Sequence, residues 1–100
     1  MLFLNNIRNV EDRLVKIFRQ NYPNPFITET QISFKVAISG FVSMKVFNIE
    51  GKEVSTLVNR KMEPGSYAVT VDATGLPGGV YYYCMKTDKE MDVKSMILLK

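Results

Sequence analysis

From residue 20 to the end, apolar and polar positions alternate in short runs, and turn-forming residues interrupt the runs about every 8–12 positions. Alternation sends side chains to opposite faces of an extended backbone, so each run reads as a half-buried strand. Gln31 to Ala37 sets Ile32, Phe34 and Val36 on one face against Ser33 and Lys35 on the other. Phe41 to Asn48 turns Val42, Met44 and Val46 inward. Asn48 to Lys52 reads as a hairpin turn in which Gly51 supplies a positive φ. Glu53 to Asn59 returns with Val54 and, past an irregularity, Leu57 as anchors. After the Glu63-Pro64-Gly65 turn, Ser66 to Asp72 directs Tyr67, Val69 and Val71 inward. A longer connection, Gly75 to Gly79, leads into Val80 to Lys86, with Tyr81, Tyr83 and Met85 on one face and Val80, Tyr82 and Cys84 on the other. Thr87 to Glu90 is a polar turn, and Met91 to Leu99 makes the last strand.

Residues 1–19 have a different texture. Val10, Leu14, Ile17 and Phe18 fall at helical spacing, and Asn9 followed by Asp12 is a weak capping signal. A helix this short is marginal without tertiary support, so the segment reads as a linker or upstream remnant with a helical turn at most. Residues 20–100 then form one domain. With an extended stretch at Tyr22 to Thr28 it holds seven strands, and two antiparallel sheets packed face to face bury them best. The expectation is all-β: a seven-stranded antiparallel sandwich of the immunoglobulin-like or fibronectin-III-like kind.

Composition narrows the function. The chain of 100 residues carries 13 Lys and Arg against 10 Asp and Glu, a balance of +3 that is spread rather than clustered. The densest basic stretch, Arg60-Lys61, is a pair at an expected turn, so nucleic acid is not an expected partner. There is no His, which removes the commonest general base and metal ligand, and the lone Cys84 has neither a disulfide partner nor an activating imidazole. No apolar run approaches the ~18 residues of a membrane span. The start, Met1 to Asn6, does not read as a secretory signal, which leads to the expectation of a fragment or truncated frame of a longer protein.

Candidate chemistry is thin. Glu50 with Glu53, and Asp88 with Glu90 and Asp92, sit beside Lys52, Lys89 and Lys94 in or near turns and read as solvated charges rather than acid–base pairs. Asp88 to Glu90 lacks the ligand density and turn glycine of a calcium loop. Tyr81-Tyr82-Tyr83 cannot form one stacking platform, because a strand sends alternate rings to opposite faces. The glycines at 75, 78 and 79 lead into a strand, not the helix N-terminus of a phosphate cradle. Neither a catalytic residue nor a metal or cofactor is expected.

Two motifs do carry information. In Gln20-Asn21-Tyr22-Pro23-Asn24-Pro25-Phe26 the prolines stiffen the chain and restrict the residues before them, spacing Tyr22 and Phe26 for docking into a sandwich edge. The other is Leu76-Pro77-Gly78-Gly79-Val80-Tyr81, followed by a hairpin and Lys94 to Lys100.

Together they resemble the C-terminal sorting domain of type IX secretion cargo, type A, also called the Por secretion system sorting domain. The likeness runs in order from Asn21, Tyr22, Pro23, Asn24, Pro25 and Phe26 through Gly51, Gly65, Leu76, Pro77, Gly79 and Tyr81 to Lys94, Leu98 and Lys100. It covers about residues 20–100. Ile27-Thr28-Glu29-Thr30 departs from the family's usual continuation, as does Lys94-Ser95 from its basic pair. The resemblance implies a non-catalytic, monomeric module at the end of a secreted or surface protein of a Bacteroidota-type bacterium. Its implied partners are the outer-membrane type IX translocon, which recognises the folded module in the periplasm, and a sortase-like cysteine protease that removes it before Asn21. The last strand, at a sheet edge, would be extended by strand addition, with Lys94 and Lys100 setting specificity. Two other readings stay open on the residues alone: an adhesive or carbohydrate-binding sandwich, and an Ig-like spacer of the flagellar hook-cap kind.

Overall fold

A computed structural model describes residues 13–100, which contain seven strands. They are β1 (Val15–Phe18), β2 (Glu29–Val36), β3 (Gly40–Phe47), β4 (Glu53–Met62), β5 (Gly65–Asp72), β6 (Gly79–Lys86) and β7 (Met91–Leu98). They form a three-stranded sheet ordered β1-β2-β5 and a four-stranded sheet ordered β4-β3-β6-β7, antiparallel throughout. The fold is a β-sandwich, and both β4 and β7 stand at edges of the larger sheet.

The alternation read from the sequence becomes the core. Ile32, Phe34 and Val36 of β2 share it with Val42, Met44 and Val46 of β3 and Tyr81, Tyr83 and Met85 of β6, all nearly inaccessible. Burying a side chain of this size is worth about 1.5–3 kcal/mol, which makes the period of two decisive wherever one face is covered. Tyr67 and Val69 of β5 pack against this core from its rim, and Val71 lies inside it. The irregularity expected in β4 is present as register shifts between Met44 and Lys45 and between Val46 and Phe47. That strand runs on to Met62, placing Val58 and Met62 in the core and Arg60-Lys61 within the strand rather than at a turn. The β3–β4 hairpin closes as expected: Gly51 takes φ 86°, and Asn48 Oδ1 accepts the N–H groups of Glu50 and Lys52, each at 3.0 Å.

Three further expectations are corrected. Leu14, Ile17 and Phe18 do not share a helical turn; they lie in or beside β1, which pairs with Val36, Lys35 and Phe34 of β2. Leu14 and Val15 are buried in the common core, and that burial outweighs a weak helical spacing (Asn9, Val10 and Asp12 lie outside the described residues). Tyr22 to Thr28 is not a strand. Its two prolines leave only isolated bridges, Tyr22 with Gln31 and Phe26 with Leu98, so β1 supplies the seventh strand instead. Glu90 is not solvated: it is 9% exposed and points inward.

Candidate functional site

The two sequence motifs, more than fifty positions apart, converge on the outer edge of β7. Every residue of β7 has a β6 partner, but in an antiparallel ladder only alternate residues exchange backbone hydrogen bonds. The outward bonds of Ile97 and Leu99 show that the N–H and C=O of the odd-numbered residues are directed away from the sheet. The proline-stiffened segment fills much of this row. Phe26 N–H donates to Ile97 C=O at 3.0 Å, and Leu99 N–H donates to Phe26 C=O at 2.8 Å, in a parallel bridge. Asn24 Oδ1 accepts Ile97 N–H at 2.9 Å, and Gln20 Nε2 donates to Ser95 C=O at 2.7 Å. An exposed edge invites stray pairing; here the chain covers the C-terminal half of that edge with its own backbone. Among the described residues nothing covers the N-terminal half, where Met91 and Val93 are 67% and 50% exposed.

Behind this strap lies a polar clamp. Tyr83, fully buried, accepts Asn21 N–H at 2.8 Å through its hydroxyl and donates to Arg19 C=O at 2.9 Å. Burial disfavours the phenolate, and nearby Asp92 adds to it, so Tyr83 is pushed up to about 12 although the Asn21 N–H works the other way. Asn21 is buried too; its Nδ2 donates to Pro23 C=O and Thr30 Oγ1, both at 3.1 Å, and the Thr30 hydroxyl donates to Pro23 C=O at 2.7 Å. The side chains of this turn that enter the interior thus meet partners, as buried polar groups must.

A second clamp involves Glu90. Its Oε1 accepts Leu14 N–H at 2.8 Å, Val15 N–H at 3.4 Å and the Thr87 hydroxyl at 2.9 Å. The β6–β7 turn therefore holds the start of β1 across 76 positions of sequence.

The residues singled out from the sequence divide accordingly. Asn21, Asn24 and Phe26 are structural contacts of the strap, and Phe26 is 2% exposed. Tyr22, expected to dock beside it, does not: its backbone pairs with Gln31 while its ring stands 82% exposed, and Pro23 and Pro25 face solvent. Leu98 is core, packed where a Cβ added at Gly78 would come within 3.1 Å of Lys100 Cβ, 3.2 Å of Lys100 N and 3.3 Å of Leu98 C=O. Gly79 takes φ 149°, which only glycine adopts easily. Tyr81 donates its hydroxyl to Pro77 C=O at 2.6 Å, Leu76 packs on the core rim, and Lys100 Nζ reaches Ala73 C=O at 3.4 Å. Lys94 lies with its Nζ 5.8 Å from the centre of the Phe18 ring, a cation–π contact. Gly51 and Gly65 stand apart, at the β3–β4 turn and the start of β5.

Sequence reasoning missed Tyr83, Thr30 and Glu90 as anchors. A Glu inside a run of turn residues carries no local sign that its partners are backbone amides 75 and 76 positions away. The tyrosines do divide by face as expected: Tyr81 and Tyr83 are core, Tyr82 is on the outer face, and no ring platform forms. Cys84 is half-buried on that outer face, where burial pushes its thiol up.

Compared with known families, residues 20–99 match the model of the secretion system C-terminal sorting domain. No curated protein and no solved structure is similar enough to match.

Proposed function

The chain belongs to the secretion system C-terminal sorting domain family, and on that premise we propose that it is read as a folded module whose recognition element is the edge strand β7. Family membership makes it a type IX sorting signal, non-catalytic in kind, that sends a longer cargo protein to the cell surface or exterior. The observation that carries the finer reading is the convergence of the opening motif and the last strand on one sheet edge, half covered and half open among the described residues. The outer-membrane translocon adds a strand to the open part of β7, taking backbone hydrogen bonds from Met91 and Val93. Lys94 borders the contact and sets its specificity, whereas Lys100 lies beyond the covered end of β7, its Nζ reaching Ala73 C=O. A sortase-like cysteine protease then separates module from cargo. Because β1 is paired and Glu90 holds Leu14, cleavage falls on the N-terminal side of Leu14, not between Leu14 and Asn21.

The test is a reporter carrying an export signal and ending in this chain, expressed in a host with a type IX system. Deleting Met96 to Lys100 is expected to hold the reporter in the periplasm. Met96 and Leu98 are core residues, so that loss alone could reflect unfolding. Val93→Pro separates the two: it removes an outward N–H at an edge, where proline is tolerated, and is expected to leave the fold intact while blocking delivery. Normal delivery of a folded Val93→Pro reporter would refute recognition through this edge.

A further inference from the structure

We propose that two copies of this chain pair through the uncovered half of β7, antiparallel about a two-fold axis at Val93. Three features of that stretch point to the same partner.

The first is parity. Met91 and Val93 are the β7 residues whose backbone groups face away from β6 where the strap leaves the edge open, and Ser95 faces the same way at the boundary, its C=O met only by the Gln20 side chain. In an antiparallel ladder, outward-facing residues must oppose outward-facing residues. A two-fold axis at Val93 sets Val93 against the partner copy's same residue and Met91 against Ser95, so every facing pair can exchange backbone hydrogen bonds. A register shifted by one residue cannot do this.

The second is charge. Asp92 and Lys94 flank Val93 on the inner side of the strand, both half-buried. Charges turned inward on an edge strand deter pairing with unmatched segments. A matched segment must put a cation opposite Asp92 and an anion opposite Lys94, with an apolar residue between them. Read in the antiparallel direction, Met91-Asp92-Val93-Lys94-Ser95 is itself that segment. The axis at Val93 places Asp92 opposite Lys94 twice, as non-hydrogen-bonded neighbours, where cross-strand side chains come closest. The edge is self-complementary, which is the requirement of an isologous dimer.

The third is the boundary. The strap begins where the pairing would end: Gln20 donates to Ser95 C=O, and Asn24 accepts from the next outward position, Ile97. Gln20 is exposed and its side chain can turn aside for the incoming Met91 N–H, whereas the Phe26 bridge stays in place. The outer faces then join into one apolar belt of Met91, Val93, Tyr82 and Ile97 from each copy, all at least 39% exposed in the single chain. Dimerisation also closes the stretch of the β7 edge that the described residues leave uncovered.

The experiment is sedimentation velocity on the full chain across a concentration series reaching about 1 mM. The wild type is expected to double in mass as concentration rises. Asp92→Lys alone and Lys94→Asp alone should each stay monomeric, because like charges then face each other. An equimolar mixture of the two variants should recover the doubled mass, since each substituted position then faces its opposite charge in the other copy; this also shows that both variants are folded. A wild type that stays monomeric throughout overturns the proposal, as does a dimer that survives either single variant or a mixture that fails to associate. The readout is mass in solution, independent of reporter location, so the fate of the sorting mechanism does not decide this one.

Discussion

Replacing Tyr83 with Phe removes one oxygen and leaves the ring, still packed edge-on against Phe18 with centroids 5.4 Å apart. The hydroxyl is the joint between β6 and the strap, because it holds both Arg19 C=O and Asn21 N–H. Each hydrogen bond is worth about 1 kcal/mol net, and a buried donor left without a partner costs about 1–3 kcal/mol more. Asn21 is 2% exposed, so its amide has no ready access to water. The expected loss is about 3 kcal/mol, or about 15 °C in Tm for a domain of this size. Urea unfolding should show a lower midpoint at unchanged slope, and hydrogen exchange should accelerate first at Asn21.

The same oxygen gives a pH signature. The folded-state pKa of about 12 lies above the ordinary 10. Its contribution is therefore fully present below pH 10 and is lost as pH rises toward 12. The two-unit gap corresponds to at most about 3 kcal/mol. Tyr83→Phe should lack this part of the alkaline fall. A loss below about 0.5 kcal/mol at neutral pH, or an Asn21 amide that exchanges no faster, would refute the clamp.

Glu90→Ala should cost about 2 kcal/mol by stranding Leu14 N–H in the interior, with exchange rising at Leu14 and Val15, whereas Glu90→Gln keeps a carbonyl acceptor and should lose less. Phe26→Ala should cost about 3–5 kcal/mol and expose the amide of Leu99, which exchange would report at that residue before any in β2. Gly51→Ala should cost about 1 kcal/mol through the positive φ alone, since no atom lies within 4 Å of the added Cβ; a larger loss by thermal unfolding would show a contact that the structure lacks.

Features that recur every second residue or sit at a turn were legible before any fold was known. The inward sets Ile32-Phe34-Val36, Val42-Met44-Val46 and Tyr81-Tyr83-Met85 are buried as the alternation requires. Gly51 and Asn48 close their hairpin, and the ordered motifs from Asn21 to Lys100 point to the sorting family that residues 20–99 match. These signals are local: a side chain's face follows from its neighbours in the chain.

Features that depend on distant partners were not legible in this way. Leu14, Ile17 and Phe18 fit a helical spacing, but a four-residue strand and a turn of helix cannot be told apart by period in so short a window. The free edge of β2 and the carboxylate of Glu90 settle the matter. Tyr22 and Phe26 look alike as docking aromatics, yet Phe26 alone is buried beside β7, so one ring is core and the other stands in solvent. Which half of β7 is covered follows from where the proline-stiffened segment lands after crossing the sandwich. Such contacts join residues more than seventy positions apart, and no local pattern records them.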